Sequence, residues 1–158
     1  MRNIQFKFKN DDFDNIKQVY SNIVVSYISN DFSLYTNDGI GDSMLQPENS
    51  CITINFDLKT KRVCGLNGYV GDLSKLPRKT IDFRNVDSGI LYVDSNENFV
   101  HGIAYEFCYN SKMYFDKDNN ILSIGEFSKD IKTYKILKNV YVQFNGNLSC
   151  LLISFNKK

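Results

Sequence analysis

The chain has no tryptophan, one histidine and two prolines in 158 residues. A lone histidine, His101, removes most arrangements in which an imidazole activates a nucleophile or shares a metal with a second ring. The four cysteines, Cys51, Cys64, Cys108 and Cys150, stand far apart with no Cys-x-x-Cys pair, which excludes zinc ribbons and dithiol redox motifs. Each falls in a segment that reads as strand, so the expectation is buried free thiols in a reducing cytoplasm. Long apolar runs are missing as well. The longest, Cys150-Leu151-Leu152-Ile153, is far short of the ~18 residues of a helical membrane span. The first nine residues alternate charge with bulk where a secretory signal needs an apolar stretch, so they read as mature structure of a soluble protein.

Cations are scarce in one region. Residues 10 to 57 carry eight carboxylates, Asp11, Asp12, Asp14, Asp31, Asp38, Asp42, Glu48 and Asp57, against Lys17 alone, a formal charge of −7. The remainder is basic, and the overall charge of +1 hides a polar molecule. Such a field steers encounters and selects partners without specifying topology. What is abundant is aromatic: ten Tyr and twelve Phe, which together with the shortage of proline favour paired strands. The length fits a single domain with one core.

Ile4, Phe6 and Phe8 alternate with Gln5, Lys7 and Lys9, the period of a strand with one buried face. Asp11 or Asp12 can cap a helix, and Phe13, Ile16, Tyr20, Ile23, Val24 and Tyr27 then recur at spacings of three and four. This predicts a helix over 12–28, although the β-branched run Ile23-Val24-Val25 also suits a strand. Residues 31 to 49 hold the longest candidate loop, around Asp38-Gly39-Ile40-Gly41-Asp42. From Cys51 onward the pattern is a meander of short strands. Segments 52–56, 62–70 and 79–83 are followed by 90–94, which pairs plausibly with 99–109. Segments 113–115 and 121–124 flank one turn, and 140–144 and 148–155 flank Asn145-Gly146, a hairpin signal because both central residues of a type I′ turn need positive φ. Residues 128–137 are ambiguous, with lysines that would line one side of a short helix. The fold class expected is α+β and predominantly antiparallel: one helix near the start packed on a meandering sheet or partly closed barrel of about six to nine short strands.

The chemical motifs are thin. Glu106 interrupts the apolar stretch 102–109, where burial would raise a carboxyl pKa. A wet face carrying Ala104, Glu106 and Cys108 explains it more simply. Asp116, Asp118 and Asn120 occupy positions 1, 3 and 5 of a calcium loop, but Ile121 stands where glycine is needed and Phe127 where glutamate is needed, so a polar turn is expected. Gly65 and Gly68 lack the Gly-Lys-Ser/Thr ending of a phosphate loop and read as a bulge or close backbone approach. Lys75, Arg78, Lys79 and Arg84 alternate with Asp72, Asp82 and Asp87, so no direct nucleic-acid contact is expected there. No metal or cofactor site is expected.

A short soluble chain with a helix near its start, an Asn- and Lys-rich antiparallel meander and no catalytic constellation resembles bacterial immunity proteins of contact-dependent or polymorphic toxin systems. The resemblance implies a cytoplasmic, non-enzymatic protein that binds a cognate toxin domain, commonly a nuclease, and blocks it. An acidic surface suits that role, because a nuclease presents cations to its substrate. Asp31, Tyr35, Asp38 and Asp42 are the candidate contact residues. Two alternatives stand beside it: an antiparallel barrel carrying a small apolar ligand, and a carboxylate-based hydrolase using Glu106 with a loop aspartate.

Overall fold

In the computed structural model the residues described are 2–10, 23–28, 31–36, 42–84 and 86–155. They form fourteen strands arranged in three open sheets, and no α-helix occurs among them. The α+β expectation is therefore corrected to an all-β fold without a closed barrel. The last six residues of the predicted helix are overturned directly. Ile23–Ile28 is a strand, because its β-branched side chains lose rotamer freedom in a helix and suit the pleat of a sheet. Residues 12–22 lie outside the described residues.

The first six-stranded sheet has the order β2-β3-β6-β5-β4-β9, from Ile23–Ile28, Asp31–Thr36, Val63–Gly71, Ile52–Phe56, Ser43–Pro47 and Ala104–Phe107. The second has the order β10-β11-β14-β13-β12-β7, from Met113–Asp116, Ile121–Gly125, Leu148–Ser154, Val140–Phe144, Thr133–Leu137 and Asp87–Ser88. A two-stranded ribbon, β1 (Gln5–Lys9) with β8 (Ile90–Asp94), is the third. The hairpins β5–β6, β10–β11 and β13–β14 are the local pairs that alternation and turn residues predicted. The last closes over three residues, since Phe144 pairs with Leu148 and only Gly146, at φ 75°, takes the left-handed conformation within the turn. It is thus not the two-residue type I′ turn expected.

The meander itself is corrected. Segment 90–94 pairs with β1, and β9 lies parallel to β4, with Leu45 opposite Tyr105. Segment 79–83 is not a strand; it straps the outer face of the second sheet, where Ile81 is fully buried with Ile121, Phe127, Cys150 and Leu152. Residues 133–137 form a strand instead of a helix. Buried Gln143 accepts from the Ser128 N–H at 3.0 Å and donates to the Ser128 and Ile131 carbonyls at 2.7 and 2.9 Å, satisfying the preceding turn from β13. At Gly68 the close approach is real: a Cβ there would lie 2.4 Å from the Cys51 carbonyl oxygen.

One apolar cluster joins all three sheets. Phe32 of β3 meets Phe155, just beyond β14, at 4.8 Å between ring centroids, and Phe155 stacks on Phe115 of β10 at 5.9 Å. The ribbon lies against both large sheets, with Phe6 against Phe107 of β9 and Phe8 against Tyr134 of β12. β14 is buried on both faces, Leu151 and Ile153 in the shared core and Cys150 and Leu152 beneath the strap, which accounts for its unbroken apolar run. Each such side chain stabilises the fold by roughly 1.5–3 kcal/mol through burial.

Candidate functional site at the 100–103 turn

β8 and β9 are joined by a loop in which Phe99 packs inward and the residues after it project. Phe99 is nearly buried, edge-on to Phe56 at 5.0 Å and to Tyr105 at 5.1 Å. Immediately after it the chain turns outward, leaving Val100 58% and Ile103 47% exposed. The Ile103 N–H donates to the Val100 carbonyl at 3.3 Å, and Gly102 supplies the positive φ, 75°, that closes the turn.

The turn is fixed from both sides. Gly102 N–H donates to the Asp42 carbonyl at 2.7 Å, Met44 N–H and the Ser43 hydroxyl donate to the Ile103 carbonyl at 3.2 and 3.1 Å, and Val100 N–H donates to the Tyr105 hydroxyl oxygen at 2.7 Å. Tyr105 in turn lies under the Arg2 guanidinium at 4.9 Å, and Arg2 pairs with Glu97. These bonds hold two large apolar side chains in water on an ordered backbone.

Carboxylates flank the turn. Asp42 accepts from Leu58 N–H at 3.2 Å and faces the His101 Nδ1 at 3.9 Å, with the imidazole 80% exposed. Neighbouring Asp57 accepts from the Thr60 N–H and hydroxyl at 2.6 and 2.9 Å. The backbone bond from Thr60 holds its carboxyl below the usual aspartate range, against a smaller upward push from burial. Asp57 is therefore available as an anion at neutral pH.

Of the four candidate contact residues, the structure places Asp42 at this turn. Asp31 opens β3 opposite Ile28, at the other end of the same sheet, where Phe32 pairs with Gly71. Tyr35 follows Leu34 in the row shared with Gly68 and Ile52. Asp38 lies outside the described residues. Among the described residues, Asp31 and Asp42 thus stand at opposite ends of the sheet. His101 is a surface residue in a turn, and Val100 and Ile103, which the sequence presented merely as its strand neighbours, are the residues missed. A signal existed: large apolar residues on both sides of His101-Gly102, directly after the polar turn at 95–98.

Other candidates take structural or surface positions. Glu106 is exposed on β9, as are Ala104 and, just beyond the strand, Cys108, so the desolvation that the hydrolase alternative needed does not occur there. Asp116 is a buried carboxylate serving its own hairpin, accepting from the Asp118 and Asn119 N–H groups on one oxygen and from Ile81 N–H and Asn119 Nδ2 on the other. Cys64 and Cys150 are buried, with burial pushing their thiols up to about 12 and about 11, while Cys51 and Cys108 are exposed, correcting the expectation of four buried thiols. Among the described residues no helix is long and apolar enough to cross a membrane, and no group of three or more His, Cys, Asp or Glu is placed to hold a metal. Compared with protein-family models, with curated proteins and with solved structures, the chain matches none.

Proposed function

We propose that this chain is a cytoplasmic, non-catalytic protein-binding module that docks a basic protein through the 100–103 turn and its Asp42 and Asp57 flank, acting as an immunity protein that occludes a toxin domain. The carrying observation is the pair Val100 and Ile103, exposed on a backbone held by hydrogen bonds from Asp42, Ser43, Met44 and Tyr105. A prearranged anchor loses little conformational freedom on association, so more of the apolar contact appears as affinity. The partner's charge follows from the two carboxylates beside the turn, Asp42 and Asp57. A cationic nucleic-acid groove meets such a surface with faster encounter and better discrimination.

The test is a binding titration against the protein encoded next to this one in its genome, at low and physiological salt. Ile103→Asp is expected to weaken the complex by about 2 kcal/mol, roughly thirtyfold, and raising the salt to slow association. Val100→Asp should act in the same direction. Tight binding that neither substitution changes would assign the interface elsewhere.

A further inference from the structure

A second surface feature lies away from the turn's apolar face. Lys7, Phe8, Lys9, Thr60, Lys61 and Tyr92 line an open depression of about 450 Å³, within the usual size range of small-molecule sites. Its construction follows from the ribbon. Phe6 and Phe8 turn toward the core, so alternation turns Lys7 and Lys9 to the opposite face, where Lys7 stands across from Tyr92. The free edge of β8 is met by the β5–β6 turn: Val93 N–H donates to the Lys61 carbonyl at 2.8 Å, and Arg62 bridges to Tyr92. Thr60 and Lys61 are thereby set against the side of Tyr92 away from β1.

Three features of this depression point to a ligand. Among the described residues no carboxylate lines it, and Lys7, Lys9 and Lys61 form no ion pair. The Lys7 ammonium lies 5.9 Å from the Tyr92 ring centroid and the Lys61 ammonium 5.2 Å from that of Phe99, so both lean on aromatic faces from which an anion can draw them. Lys61 also holds a left-handed backbone at φ 65°, anchored by its N–H to the Asp57 carbonyl at 2.8 Å. That conformation closes the β5–β6 turn, where the Asp57 N–H donates to the Arg62 carbonyl at 2.9 Å, and it sets Lys61 at the edge of the depression.

We infer that this depression binds a phosphate-bearing ligand with a planar ring, the chemistry of a nucleotide, its phosphates held by Lys7, Lys9 and Lys61 and its base stacked on Tyr92. Lysines serve as mobile point charges for phosphate, and an aromatic face accepts any base without sequence preference. The depression adjoins the docking turn through Asp57 and Phe99, but nucleotide binding is measured without a protein partner, so its failure would leave that proposal standing.

The experiment is calorimetric titration of the full chain with ADP, with inorganic phosphate and with a short oligothymidylate. ADP is expected to bind with a dissociation constant on the order of 0.1 mM, weakening as salt rises. Lys7→Gln and Lys61→Asn, the latter chosen because asparagine tolerates the left-handed backbone, should each weaken ADP by about tenfold. Tyr92→Leu should weaken ADP while leaving the weaker phosphate binding unchanged. Tighter binding of the oligothymidylate than of ADP would name a strand as the source of the nucleotide; tighter binding of ADP would name the free molecule. Absence of ADP binding up to about 10 mM, or ADP binding indifferent to both lysine substitutions, would overturn the assignment.

Discussion

Asp116 ends β10 with four donors on one carboxylate, two from its own turn, one from Asn119 and one from the Ile81 strap. Burial pushes its pKa up, yet the bonds from Ile81, Asn119 and Asp118 outweigh that push and the group stays below the usual aspartate range. Replacing it with alanine leaves three backbone N–H groups without an acceptor, and Asp116→Ala is expected to cost about 2–3 kcal/mol in denaturant unfolding. A depressed carboxyl stabilises above its unfolded pKa, and that contribution disappears as pH falls through the lower folded value. The gap between parent and Asp116→Ala should therefore be widest at neutral pH and begin to narrow below about pH 4. The turn around Asp116 was legible because missing Gly and Glu positions argued against calcium. Its hold on Ile81 was not, since that bond spans 35 positions.

At the scale of elements, the ribbon is completed by a side chain. Asn147, in the β13–β14 turn, accepts from Phe6 N–H at 2.8 Å and donates to the Ile4 carbonyl at 3.3 Å, so its amide pairs with the start of β1 as a strand would. Asn147→Ala is expected to cost about 1–3 kcal/mol and to speed hydrogen exchange at Phe6 ahead of β13 and β14. Hairpins such as β5–β6 and β10–β11 could be read from sequence because a turn and two alternating segments are contiguous. The partners of β8 and β9 could not, because Ile90–Asp94 and Ala104–Phe107 look alike to any neighbour and are chosen by sheets assembled from distant segments. In 23–28, helical spacing and β-branching conflicted, and the observed pairing with β3 follows the β-branching.

Across the whole molecule, Phe155 is the side chain on which both large sheets meet. It touches Phe32 from the first and Phe115 from the second while only 5% exposed. Phe155→Ala should destabilise by about 3–5 kcal/mol. Probes placed in either sheet should lose structure at the same lowered denaturant concentration; separate transitions would show that the core does not couple them. The front-loaded acidity was legible in the sequence, but its distribution was not. Strand register sends Asp31 and Asp42 to opposite ends of one sheet, so a charge total could not reveal that Asp42 sits beside exposed apolar residues.

The parallel pair β4–β9 has a consequence for how the chain is made. Ser43–Pro47 can pair early with β5 but must wait for Ala104–Phe107 to cover its other edge, and Gln5–Lys9 must wait for Ile90–Asp94. On a ribosome adding about 5–20 residues per second, the leading strands therefore emerge several seconds ahead of their mates. Nascent chains in this interval expose unsatisfied β edges, so the protein's vulnerability to proteases and to self-association is greatest during its own synthesis.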